Sequence, residues 1–279
     1  MPVILRDGCP IHFQVFGEGP PDATPLLLIH GWGCDIDSWG RLLPRLARVR
    51  RCIAVDNRGA GRSGRGRWLF GIATMADDAT AVLDALGVER ADVLGNSLGG
   101  MVAQVLAVRH PSRVRSLILL SSSPGLASIP SPRRLLVDLL RWVRRRSRSS
   151  GRALPRSRRR HRRPTCQLSA GLTWFGLPVL WRIRVPVLLL HGRRDSVIPP
   201  LNARLMARLI PRARLHLLPR AGHLILATHS RAVADAVTSF LDEQDARAVV
   251  TALGSSPGAP EPREHEVPEE PVATGLAVG

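Results

Sequence analysis

Apolar residues fall along this chain in short blocks, separated by turn residues and by stretches with helical spacing. Residues 3–6 and 11–16 flank Asp7-Gly8, a pair suited to a tight turn, which predicts an opening antiparallel hairpin. Residues 25–29 form a continuous apolar run, the mark of a strand buried on both faces. A helix is predicted over 38–49, a strand over 52–55, and a helix over 72–86 that ends at Gly87, a residue free to close it in the left-handed region. The mostly apolar run Ala91-Asp92-Val93-Leu94 and the turn after it precede a helix-like stretch ending near His110, and a further strand covers 116–120. After a long insertion come strands at 185–190 and 214–218 and a closing helix at 232–241. Strands alternating with helices in this order predict an α/β fold built on a doubly wound, mostly parallel sheet.

The pattern divides the chain. Residues 1–123 and 183–245 make the core, residues 124–182 a lid insertion over the strand ends, and residues 246–279, rich in Pro, Gly, Ala and Glu, a disordered tail. Within the insertion Leu135, Leu136, Leu139, Leu140, Trp142 and Val143 share one helical face, and Arg134, Asp138, Arg141 and Arg145 another. From Arg144 to Pro164 the sequence is nearly free of apolar residues and reads as a solvated segment. Large apolar residues return with Trp174, Phe175 and Trp181.

Charge changes the picture less than its size suggests. The formal net charge is +18 and every basic residue is Arg, but fourteen of these lie between Arg133 and Arg163. That stretch has no interleaved aromatic platform for bases, so no specific nucleic-acid partner is expected. Cys9, Cys34, Cys52 and Cys166 show no metal or redox spacing and read as reduced thiols. No apolar run is long enough to span a membrane and the start of the chain lacks a signal-peptide pattern, which predicts a cytoplasmic protein.

The chemistry centres on Gly95-Asn96-Ser97-Leu98-Gly99, a G-x-S-x-G turn with a strand before it and a helix after it. Such a turn is tight enough to need glycine beside the serine, and it holds the Ser97 hydroxyl clear of the sheet. A serine hydroxyl is a weak nucleophile without a base, and the base needs a carboxylate to orient it. The loop after 187–190 offers Asp195 and the loop after 215–218 offers His223, in the chain order Ser, Asp, His. Two backbone N–H groups must face the developing oxyanion. Leu98 supplies one, and His30-Gly31-Trp32-Gly33, after the strand at 25–29, supplies the other at Trp32. His30 is expected to brace that loop, and His110, His191, His216 and His229 to be structural or exposed. The turn from Asp56 to Ser63 superficially suits phosphate, but a P-loop requires a lysine and the chain has none, so Asp56 is expected to bind local amides. No metal cluster is present in the pattern, and the chemistry requires neither metal nor cofactor.

With those motifs in place, the chain from about Val3 to Glu243 resembles the α/β-hydrolase superfamily. Within it, Gln167-Leu168-Ser169-Ala170-Gly171-Leu172, Trp174, the stretch from Val197 to Leu205 and Gly222-His223-Leu224 resemble intracellular medium-chain-length poly(3-hydroxyalkanoate) depolymerases. That resemblance implies ester hydrolysis on an aliphatic hydroxyacyl chain, a small-molecule or polyester substrate, and contact with a storage-granule surface. The insertion departs from that family, being shorter and Arg-rich. Gly-Asn-Ser-Leu-Gly-Gly also resembles the C–C hydrolases of aromatic meta-cleavage pathways, the alternative reading. An Arg-driven nucleic-acid binder or a non-catalytic binding module stands behind both.

Overall fold

The computed structural model describes residues 2–64, 70–125, 128 and 164–252. The hairpin forms as the Asp7-Gly8 pair dictates. β1 (Val3–Arg6) and β2 (Cys9–Phe16) run antiparallel with Arg6 opposite Cys9, and both turn residues take positive φ (50° and 71°). β3 (Leu26–Ile29), β4 (Cys52–Val55), β5 (Ala91–Asn96), β6 (Val114–Leu120), β7 (Val187–Gly192) and β8 (Ala213–Leu218) complete an eight-stranded sheet in the order β1-β2-β4-β3-β5-β6-β7-β8. From β4 to β8 every neighbour pair is parallel.

Strand alternation feeds two cores. Leu27, Ile29, Ile53 and Val55 face one side, where α2 (Ile72–Ala85), α3 (Leu98–Arg109) and α6 (Leu201–Leu209) pack. Leu26, Leu28, Cys52 and Ala54 face the other, against the 3-10 turn Ile36–Trp39, α1 (Leu42–Leu46), α7 (Ile225–Thr228) and α8 (Ser230–Ala252). A one-residue slip in any strand would exchange its two faces, so this double burial fixes the register.

Two helices differ from the sequence pattern. The segment at 38–49 begins earlier as the 3-10 turn and contains only a short α-helix, since Gly40, at φ 51°, breaks it. The closing helix, expected over 232–241, begins at Ser230 and runs through the expected core boundary at 245 to Ala252. Tertiary contacts carry it on: Gln244 is buried, and Asp245 accepts hydrogen bonds from Arg50 and, at 2.5 Å, from Arg115.

The insertion returns through α4 (Pro164–Thr173) and α5 (Leu177–Leu180). Its stem closes where Gly125 bridges Phe175 and the Gly176 N–H donates to Pro124 O (3.0 Å). The apolar face at 135–143, the Arg-rich stretch and residues 253–279 lie outside the described residues. Among the described residues, no helix is long and apolar enough to cross a membrane.

β3 has β4 on one side and β5 on the other, so the direction of winding reverses at β3. In parallel sheets the crevice at such a reversal, beyond the carboxyl ends of the strands, is where ligands bind. The loop after β3 and the turn after β5 open there together.

Candidate active site

Ser97 joins β5 to α3 at φ 53°, ψ −115°, a backbone conformation costly for any residue with a Cβ. The surroundings hold it there. Its N–H donates to Leu120 O (2.8 Å), and Ser122 Oγ donates to its carbonyl (2.9 Å). The flanking glycines are steric requirements. A Cβ on Gly95 would stand 2.4 Å from Gly99 O, and one on Gly99 would stand 2.0 Å from Ile29 O.

Asp195 and His223 come together at the ends of β7 and β8. His223 Nδ1 lies 2.8 Å from Asp195 Oδ2. An ionised carboxylate only accepts, so Nδ1 carries the proton and Nε2 keeps its lone pair. Their loops are tied backbone to backbone, with Arg194 N–H donating to Ala221 O (2.9 Å). Asp195 Oδ1 accepts from the Val197 and Ile198 amides, each at 2.9 Å. Burial raises the Asp195 pKa, but hydrogen bonds from His191 and His223 outweigh it and hold the carboxyl well below the usual carboxylate range. Among the described residues no hydrogen bond runs from Ser97 Oγ to His223. In substrate-free enzymes such catalytic contacts are often long and tighten on binding.

The loop after β3 is held from three sides. Asn57 N–H donates to His30 Nε2 (3.0 Å), which places the ring proton on Nδ1, and Nδ1–H donates to Gly31 O (2.8 Å). Asn57 Nδ2 donates to His30 O (3.0 Å). His30 therefore braces the loop, as expected. Gly33 N–H donates to Gln167 Oε1 at 3.1 Å, so that amide is already engaged. A Cβ on Gly31 would lie 3.4 Å from Ser97 Cβ, which sets the loop directly beside the serine. Leu98 opens α3, and the first N–H groups of a helix have no intrahelical partner. Beside them the buried Asn96 Oδ1 has no hydrogen-bond partner among the described residues.

The Asp56–Ser63 turn is a structural hub. Asp56 accepts from His12 Nδ1, Ile36 N and Arg62 N, each at 2.9 Å, and these donors outweigh burial to lower its pKa. His110 binds Asp77 (2.8 Å). His191 is buried against Asp195, a contact its position just before the acid loop could have suggested. No local pattern in the sequence marks Gln167, because its partners Gly33 and Arg58 lie far away along the chain. Among the described residues no group of His, Cys, Asp and Glu could hold a metal ion.

A strained serine elbow, a half-buried histidine paired with a buried carboxylate and a glycine loop on a doubly wound sheet define a hydrolase of the α/β class. Family models agree: one described as alpha/beta hydrolase fold matches residues 24–154, and one described as TAP-like protein matches residues 178–251. The chain is 33% identical over 260 residues to 2-hydroxymuconate semialdehyde hydrolase of Pseudomonas sp. strain CF600, covering 81% of this chain and 89% of that one. It is 31% identical to poly(3-hydroxyalkanoate) depolymerase of Ectopseudomonas oleovorans, covering 86% and 92%. In fold it is similar to a meta-cleavage product hydrolase from Pseudomonas fluorescens IP01, with a TM-score of 0.72 at 24% identity over 87% of this chain and 98% of that one. The chain belongs to the α/β-hydrolase family.

Proposed function

We propose that the protein hydrolyses a carbon–carbon bond in a hydroxylated, oxo-substituted dienoate, with Ser97 as nucleophile, His223 as base and acid, and Asp195 orienting His223. Trp32 and Leu98 N–H groups receive the oxyanion. The observation that carries the serine chemistry is the 2.8 Å His223–Asp195 pair at the carboxyl ends of β7 and β8, the end of the parallel sheet at which β5 turns into the strained Ser97 elbow. The choice of a C–C bond rests on the likeness to 2-hydroxymuconate semialdehyde hydrolase across 81% of the chain.

In this reading Ser97 Oγ adds to the terminal carbonyl carbon of the keto tautomer while His223 Nε2 takes its proton. The oxyanion forms against the two amides. Collapse breaks the bond to the adjacent chain carbon, whose electron pair delocalises through the double bond to the oxo group beside the carboxylate. His223 returns its proton to that carbon, and water then frees the acyl group by the same route. The excess of Arg favours arrival of an anionic substrate.

Ester hydrolysis on an aliphatic hydroxyacyl chain, which the sequence motifs favour, is the second reading, supported by the 31% identity to the depolymerase. Its substrate is a small ester or a polyester met at a granule surface in the cytoplasm. The two separate in one assay of purified protein against a hydroxy-oxo-dienoate, followed by loss of its conjugated absorbance, and against acetyl to octanoyl esters. A higher kcat/KM on the dienoate is expected. Preference for the esters would install the second reading, and turnover of neither by the folded protein would remove both.

A further inference from the structure

Gln167 is fully buried and spends both ends of its amide on the backbones of two turns remote in sequence. Its Oε1 accepts from Gly33 N–H (3.1 Å) and its Nε2 donates to Arg58 O (3.0 Å). It sits on α4, the helix through which the insertion rejoins the core. One helical turn further on, Gly171 faces the start of α3, where a Cβ on Gly171 would stand 2.8 Å from Leu98 Cδ1. Residues four apart on a helix share a face, so one face of α4 meets the Gly33 amide and Leu98 together.

The consequence follows from peptide planarity. The Trp32 N–H belongs to the same planar unit as the Gly31 carbonyl, and the His30 Nδ1–H bond to Gly31 O aims that unit. The next unit pairs the Trp32 carbonyl with the Gly33 N–H, which Gln167 holds. Trp32 therefore hangs between two pinned peptides, one fixed from within the core and one fixed from the insertion. We infer that Gln167 is a positioning residue for the oxyanion hole, coupling the seating of α4 to transition-state stabilisation at Ser97. This rests on the serine-hydrolase reading above, whichever bond is cleaved.

Gln167→Met keeps the shape and removes both hydrogen bonds. Loss of a direct oxyanion donor lowers kcat about 10²–10³-fold, and misaiming one is expected to lower it by roughly 10–100-fold. The loss falls on kcat, with KM changed by less than about threefold, because ground-state contacts are untouched. Affinity for a boronic acid that adds to Ser97, and the rate of phosphonylation by a fluorophosphonate, fall by a similar factor, whereas a merely structural role would leave both unchanged in the folded fraction. Gln167→Glu serves where the Met variant fails to fold. It keeps an acceptor for Gly33, and its protonated form regains a donor for Arg58 O, so its activity relative to wild type rises as pH falls. Unchanged kcat, unchanged boronate affinity, or a defect confined to KM overturns the inference. A wild-type protein that turns over no substrate and takes no fluorophosphonate overturns the serine-hydrolase reading itself, and the inference with it.

Discussion

His191 Nε2 lies 3.2 Å from Asp195 Oδ2, the same oxygen that accepts the His223 Nδ1–H at 2.8 Å. The same Nε2 lies 2.8 Å from Ile198 O, so a single ring nitrogen sits between the two ends of the turn that carries Asp195. Together with the Val197 and Ile198 amides on Oδ1, the carboxylate is held on every side before substrate arrives. Replacing His191 with Phe removes one hydrogen bond to a charged group and loosens that turn. A fall in kcat of about tenfold is expected, close to the net worth of one such bond. Gln at the same position can still donate to Ile198 O and should recover most of the loss. Steady-state kinetics of both variants decide it, and equal activities for Phe and wild type would show that the amides alone suffice.

Asp195→Asn presents an amide where the carboxylate stood, which reverses the hydrogen bond that fixes the His223 tautomer. In serine hydrolases of the triad type this change lowers kcat by about 10⁴-fold with the geometry intact. The same is expected here, with retained circular dichroism and thermal melting as the check on folding. Residual activity above about a tenth of wild type would mean that another group orients His223.

Acid should unfold the protein through a few named carboxyls. Asp195, Asp56, Asp77 and Asp245 are all held below the ordinary carboxylate range, burial opposing and hydrogen bonds from His or Arg prevailing in each. A depressed folded pKa contributes stability that is fully present above the unfolded value of about 4 and is lost as pH falls toward the folded one. Tm is therefore expected to stay level from pH 7 to about 5 and to drop steeply below about 4. Removing Asp195 by the Asn substitution should flatten part of that drop. A Tm that declines evenly across neutral pH would place the sensitive groups elsewhere.

The site was legible where its signal is local, and illegible where one contact spans the chain. Ser97 is announced by glycines two residues either side, and Asp195 and His223 each follow an apolar run. Asp7-Gly8 likewise specifies its hairpin turn from two residues. Gln167 meets Gly33 and Arg58 across more than a hundred residues, and no spacing rule encodes such a pairing. The end of α8 fails for the same reason: its last turns follow an anchor at Asp245 supplied by Arg50, in the loop before β4, and by Arg115 on β6. The short helix at 42–46 was blurred because Gly40 interrupts an otherwise helical apolar spacing.

Gly99 tests how tightly the elbow is packed. Its missing Cβ leaves room for the Ile29 carbonyl, 2.0 Å from where that atom would be, and backbone on both sides cannot yield cheaply. Gly99→Ala is expected to cost more than about 3 kcal/mol, or to give no soluble protein. Gly71→Ala is the contrast, since none of the described residues lies within 4 Å of its Cβ position and its φ is −104°. It should change stability by less than about 0.5 kcal/mol. Comparable denaturation midpoints for the two variants would show that the strand end shifts more readily than its contacts imply.

Arg58 and Asp78 link the Asp56–Ser63 turn, which holds the loop after β3, to α2. Arg58 Nε and Nη2 donate to the two carboxylate oxygens, each at 2.5 Å, and both residues are almost fully buried. Arg6 Nη1 adds a third donor to Asp78 at 3.1 Å. Removing one member of a buried pair strands the other charge, whereas removing both replaces a costly desolvation with apolar packing. Arg58→Met is therefore expected to destabilise by about 3–5 kcal/mol, and Asp78→Leu by a comparable amount. The double variant should be more stable than either single one, because Arg6 keeps Asp7 and Asp77 as partners once Asp78 is gone. Since the Arg58 carbonyl is also the acceptor for Gln167, the Arg58 single variant should lose kcat along with stability, and the double variant should regain both. Urea denaturation and kcat measured on all three decide the matter: strictly additive single costs would mean that the two charges stabilise the fold independently and that the turn does not depend on their pairing.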